Sequence, residues 1–251
     1  MAMQVVIDSL LVHYQRRGKG RTVILLHGWG DSSQGLTELT QTLSKQFDIV
    51  AIDLPGFGGS EAPEQDWGLD EYAACIARLC SKLQLTPYAY VGHSNGGAIA
   101  IRGLANGTLH AEKLVLLASA GVRGEYKGRV KLLRLVTKAG KAVTAPLPRA
   151  VKGRLQKKFY TSIGSDMLVA ENLQGTFKKI VQDDVRQDAA RLLLPVLLLY
   201  GTNDEATPPS WGRKLAAAIP KAEFIEIPEA GHFIHRDAAA ECEKQIKRFL
   251  R

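Results

Sequence analysis

The chain has 251 residues, 45% of them apolar and 23% charged, and its longest apolar run is "LLLPVLLLY" at 192–200. These values exclude the disordered and fibrous classes and a transmembrane helix, and they suit a single α/β domain with a sizeable core. The formal net charge of +8 does not argue for a nucleic-acid partner: twelve lysines and arginines fall between Arg123 and Lys158 against the single acid Glu125, so the rest of the chain is slightly acidic.

In chain order, Gln4 to Ile7 and Leu10 to Gln15 read as a short antiparallel pair broken at Asp8-Ser9, with "RRGKG" as the following turn. Then "TVILLHG" (22–28), "FDIVAID" (47–53), "YAYVGHS" (88–94), "KLVLLAS" (113–119), "LPVLLLYG" (194–201) and "AEFIEIPE" (222–229) are short β-branched or leucine-rich runs. Most show little alternation, as expected of strands covered on both faces. Helical patterns lie between them at Leu36 to Gln46, Asp70 to Leu83, Gly97 to Asn106, Trp211 to Ala218 and Asp237 to Leu250. This alternation predicts an α/β fold: a mostly parallel central sheet of about eight strands flanked by helices.

Residues 123–190 break the pattern. They contain no buried-strand run, and apolar residues recur at helical spacing (Val130, Leu133, Val136; Leu168, Leu173, Phe177, Val181). They read as a helical cap inserted into a core of residues 1–122 and 191–251. The basic stretch there reads as a solvated helical face, or as a surface making weak contact with anionic lipid.

Cys75, Cys80 and Cys242 give an odd count without metal-ligand spacing, and "MAMQVVIDS" lacks a basic segment followed by a long apolar stretch. A reduced, cytoplasmic setting is expected, with no metal site. "DLPGFGGSE" fails as a dinucleotide fingerprint because Glu61 stands where a third glycine belongs, and no phosphate loop is present, so no cofactor is expected.

"GHSNGG" at 92–97 places Ser94 between two glycines just past a strand and before a helix, where α/β sheets gather their ligands. A tight turn would crowd the backbone two residues either side of the serine, which Gly92 and Gly96 relieve by lacking Cβ. The plainer alternative is a helix N-cap serine.

The pattern resembles the nucleophile elbow, G-x-S-x-G, of the α/β-hydrolase superfamily. The resemblance implies a Ser-Asp-His order, which Asp204 in "GTNDEATP" and His232 in "AGHFIH" satisfy, each just after a strand. Asp204 has an Asx-turn alternative, and His235 competes with His232. "HGWG" at 27–30 and the helix after the elbow imply an oxyanion hole formed by the backbone N–H groups of Trp29 and Asn95. His27 and His93 read as structural, and the Asn95 side chain as either a substrate contact or a backbone partner.

The resemblance implies a capped, cofactor-independent serine hydrolase that cleaves a small or medium acyl ester through an acyl-enzyme, as monomer or homodimer. C–C cleavage of a vinylogous diketone and a non-enzymatic small-molecule receptor on the same scaffold are the alternatives.

Overall fold

The computed structural model describes residues 2–123 and 173–251. Their strands are β1 (Ala2–Ile7), β2 (Leu10–Arg17), β3 (Thr22–Leu26), β4 (Asp48–Ile52), β5 (Pro87–His93), β6 (Lys113–Leu117), β7 (Val196–Gly201) and β8 (Ala222–Ile227). They form one eight-stranded sheet in the order β1-β2-β4-β3-β5-β6-β7-β8. β2 runs antiparallel to both β1 and β4, and every other pairing is parallel. The expected fold class is the observed one.

The central strands carry no visible alternation in sequence, yet period-2 geometry divides their side chains between two cores. Ile24, Leu26, Val50, Ile52, Tyr90, Leu114, Leu116 and Leu198 face one layer. That layer is closed by α2 (Leu69–Lys82), α3 (Asn95–Ala105) and α6 (Pro209–Ala218), through residues such as Tyr72, Leu79, Ile101 and Leu215. Val23, Leu25, Ile49, Val91, Val115, Leu117, Leu197 and Leu199 face the other. There α1 (Thr37–Leu43) and the final helices α7 (Ile234–Asp237) and α8 (Ala239–Leu250) supply Leu39, Leu43, Ile234, Ile246 and Leu250. Each fully buried aliphatic side chain contributes about 1.5–3 kcal/mol, so the double covering dominates the stability of the sheet.

The Asp8-Ser9 break is a tight turn with both residues at positive φ (47° and 69°). The three cysteines are free and buried. Of the segment read as a cap, residues 173–190 include α4 (Gln174–Gln182), which carries Phe177 and Val181, and the short α5 (Arg186–Ala189). Val130, Leu133, Val136, Leu168 and all of the basic stretch except Arg123 lie outside the described residues. No helix among the described residues is long and apolar enough to cross a membrane.

Candidate active site

β5 ends at His93, and the chain reverses at Ser94, whose backbone sits at φ 50°, ψ −114°. A non-glycine residue held there costs on the order of 1–3 kcal/mol, which the surroundings must offset. Four backbone hydrogen bonds do so: the Ser94 N–H donates to the Leu117 carbonyl (3.0 Å), and its carbonyl accepts from Gly97 (3.1 Å), Ala98 (3.3 Å) and Ala120 (3.0 Å). A Cβ on Gly92 would lie 2.6 Å from the Gly96 carbonyl oxygen, and one on Gly96 would collide with the carbonyls of Leu26 and His27. The glycines are thus required by close approach of backbone to backbone. Helix α3 starts at Asn95, two residues before the start expected from sequence. Gly96 and Gly97 let the first helical turn sit against β3 and Ser119.

On the neighbouring strand ends, the Asp204 carboxylate is buried and divides its two oxygens between two tasks. Oδ1 accepts the backbone N–H groups of Ala206 (2.8 Å) and Thr207 (2.9 Å), which is an Asx-type turn. Oδ2 accepts the Thr207 hydroxyl (2.8 Å) and faces Nδ1 of His232 at 2.9 Å. The two sequence readings of Asp204 are therefore compatible, one on each oxygen. Burial by itself would raise its pKa, but the bonds from His232 and Thr207 outweigh it and hold the carboxyl below its ordinary value. With Nδ1–H donating to this carboxylate, the lone pair of His232 sits on Nε2.

Thr207 was not singled out from sequence. Its hydroxyl contacts Asp204 Oδ2, the Ala118 carbonyl (2.9 Å) and His232 Nδ1 (3.1 Å). The only local signal is its position three residues after an Asx-turn aspartate.

The "HGWG" turn lies against the elbow: a Cβ on Gly28 would be 3.1 Å from Ser94 Cβ. His27 fixes this turn. The Leu54 N–H donates to its Nε2 (2.9 Å), so the proton sits on Nδ1 and donates to the Gly28 carbonyl (2.7 Å). Burial lowers the pKa of this ring, in keeping with a neutral structural role. Trp29 turns its indole onto Phe57 (ring centroids 4.9 Å apart) and onto Phe177 of α4 (5.0 Å). Asn95, as the first residue of α3, presents a backbone N–H that has no acceptor within the helix. Both polar atoms of its side chain are buried without a hydrogen-bond partner among the described residues.

The structure thus joins Asp204 to His232 and sets Ser94, Gly28 and the start of α3 together. Ser94 makes no side-chain hydrogen bond to His232 among the described residues; the link between them runs through His93, whose Nε2 lies 3.0 Å from the His232 carbonyl. His235 is buried in α7 and forms no ion pair among the described residues, so the acid partner belongs to His232. No group of three or more His, Cys, Asp or Glu among the described residues is placed to hold a metal ion.

An eight-stranded, mostly parallel sheet with a strained serine at a strand-to-helix turn defines a class that sequence comparison also reaches: residues 21–239 match the family described as "alpha/beta hydrolase fold", and the chain belongs to it. Among curated relatives it is 30% identical over 254 residues to a dihydrolipoyllysine-residue acetyltransferase component of an acetoin cleaving system from Pseudomonas putida, covering 96% of this chain and 67% of that one. A pimeloyl-[acyl-carrier protein] methyl ester esterase from Chromobacterium violaceum is 27% identical, covering 86% of this chain and 88% of the relative. Among solved structures, the enol-lactonase from Burkholderia xenovorans LB400 superposes with a TM-score of 0.77 at 22% identity, covering 99% of both chains.

Proposed function

We propose that this member of the family is a serine hydrolase acting on a small or medium acyl ester, with Ser94 as nucleophile, His232 as base and Asp204 as the buried acid. The observation that carries the reading is Ser94, held in a strained left-handed conformation at the end of β5, one residue from the His93 that bonds to the loop of the Asp204–His232 pair. Strain of this kind is kept where a side chain must be presented outward.

In the proposed reaction, His232 Nε2 takes the Ser94 proton as Oγ attacks the ester carbonyl. Asp204 stabilises the imidazolium that results. The oxyanion accepts the N–H groups of Trp29 and Asn95, the second aligned with the dipole of α3. His232 then protonates the departing alkoxide, and water activated by the same ring releases the acid. No cofactor enters these steps.

Two further points support an acyl substrate. The names of both curated relatives describe acyl chemistry, one as an acetyltransferase component and one as a methyl ester esterase. The Trp29–Phe57–Phe177 cluster, whose Trp29 follows Gly28 at the elbow, offers apolar surface suited to a hydrocarbon acyl chain. Residues 123–190 are proposed as the cap that completes the pocket.

A fluorophosphonate probe tests the nucleophile. Wild-type protein is expected to label and Ser94→Ala not to. Turnover of short-chain p-nitrophenyl esters is expected to fall at least about a thousandfold in Ser94→Ala and His232→Ala, and only mildly in His235→Ala. Absence of labelling in folded wild-type protein overturns the reading.

A further inference from the structure

His93 occupies the last position of β5, next to Ser94, and is 1% exposed. Its Nε2 lies 3.0 Å from the backbone carbonyl oxygen of His232. A carbonyl can only accept, so the His93 proton sits on Nε2, and Nδ1 carries the lone pair. Nδ1 is buried without a partner among the described residues and points towards the "HGWG" turn, where a Cβ on Gly28 would lie 2.9 Å away. The ring also lies under the base: its centroid is 4.8 Å from that of His232, 4.7 Å from His235 and 5.4 Å from Phe233.

Burial, more than any neighbour, lowers the pKa of this ring, and His235, His232 and Arg236 lower it further against the bond to the His232 carbonyl, which raises it. A neutral ring in one tautomer thus contacts three parts of the site: the strand carrying Ser94, the turn carrying Trp29, and the loop carrying His232.

Resting on the serine-hydrolase reading, we propose that His93 is a positioning residue for the base: its Nε2–H holds the His232 backbone carbonyl and so sets the imidazole relative to Ser94. His232 lies in a loop between β8 and α7, where its neighbour Gly231 is held by its N–H to Asp237 Oδ2 (2.9 Å) and α7 begins two residues on. Asp204 and Thr207 hold the His232 ring at Nδ1, and the bond from His93 holds its backbone. Misplacement of a catalytic group by about 1 Å costs about a hundredfold in rate.

The role separates cleanly from packing, because two substitutions preserve different halves of the ring. His93→Gln keeps an N–H donor near the position of Nε2 and loses the aromatic face. His93→Phe keeps the face against His232, His235 and Phe233 and loses the donor. The tether predicts that His93→Gln retains kcat within about fivefold, while His93→Phe loses about ten- to a hundredfold in kcat with KM changed less than about twofold. The rate of fluorophosphonate labelling should fall in the same order. His93→Phe equal to or more active than His93→Gln overturns the proposal, whatever the stability of either.

A measurement on wild-type protein covers the case in which neither variant folds. Nitrogen-15 NMR of labelled histidines at neutral pH should find His93 as the Nε2–H tautomer, its proton donated to the His232 carbonyl; an Nδ1–H tautomer overturns the tether. Failure of wild-type protein to label with the probe would sink the hydrolase reading instead, and the two failures are distinguishable.

Discussion

Arg236 and Asp31, 205 residues apart in the chain, form an ion pair with an N–O distance of 2.6 Å that ties α7, which follows the base-bearing loop, to the loop after β3. The guanidinium also reaches the Gly35 carbonyl (3.3 Å) and lies over the Phe233 ring at 4.8 Å. A Cβ on Gly35 would fall among the atoms of this pair. Arg236 is 44% exposed at its side chain, so the pair itself contributes at most about 1 kcal/mol of stability. Its consequence is geometric: it fixes the base-bearing loop against the turn that carries Trp29. Gly35→Ala and Arg236→Ala are each expected to lower kcat a few-fold with Tm nearly unchanged. The double variant should be no worse than the poorer single one, because both act on one contact; full additivity in a double-mutant cycle counts against the assignment.

Thr207 meets Asp204 Oδ2 beside His232, its hydroxyl 3.1 Å from the ring Nδ1. Thr207→Val keeps the shape and removes the hydroxyl, whose single proton serves either the Ala118 carbonyl or Asp204 Oδ2, so that one of these buried acceptors loses a donor. Stability should fall by about 1–3 kcal/mol. The rate of ester turnover should fall with it, since the carboxylate that orients His232 is less firmly held. Thr207→Ser restores the donor and should recover most of both losses, as read by urea denaturation and kcat. Equal behaviour of the valine and serine variants would remove Thr207 from the site.

The fold was legible because the continuous apolar runs at 22–28, 47–53, 113–119 and 194–201 admit little else than strands buried on both faces, and the structure places a strand within each. Gly92 and Gly96 were legible for a similar reason, because a tight turn dictates the residue type, whereas Asp204 and His232 came from the resemblance to the Ser-Asp-His order; the structure sets their side chains 2.9 Å apart. Asp31 and Arg236 were not, because a contact spanning 205 residues leaves no periodic or spacing signal. His93 was read as structural from its sequence neighbourhood. That it bonds to the carbonyl of the candidate base depends on how β5 and the loop after β8 come together, which composition and spacing do not encode. The start of α3 was placed two residues late, at Gly97 instead of Asn95, because the turn at Ser94 leads directly into the helix, a close backbone approach that periodicity does not show.

Three buried imidazoles set an acid limit on stability that lies above the carboxylate range. Burial lowers the pKa of His27 and His93 and pushes His235 from 6.5 down to about 4. Below pH 6.5 the unfolded chain takes up protons at these positions and the folded protein does not. Stability present above that pH is therefore lost as pH falls, for His235 progressively to about pH 4. Asp53 and Asp204, held below their ordinary values, contribute stability that is lost only at lower pH, as it falls through their folded values. Tm is expected to decline already between pH 6.5 and 5. His235→Phe should flatten that decline, its share being on the order of 1–3 kcal/mol at the acid end. A Tm constant from pH 7 to 5 contradicts this.

Arg102 joins α3, the helix that opens at the elbow, to the segment at 183–188. Its guanidinium meets Asp188 (2.7 Å) and Asp183 (2.9 Å) on that segment and Asp70 of α2 (2.7 Å). Only the planar fork can reach three carboxylates in three directions, so Arg102→Lys should not substitute for it. In Arg102→Met the Asp188 carboxylate, 9% exposed, keeps, among the described residues, the exposed Arg191 as its cation. Loss of one partner of a buried charge cluster is expected to cost about 2–4 kcal/mol. Adding Asp188→Asn removes the stranded charge and should recover part of that loss, a gain that simple loss of packing around the arginine stem would not produce. Equilibrium urea denaturation of the three variants measures it, and a double variant no more stable than Arg102→Met alone would mean that Asp188 does not depend on this guanidinium.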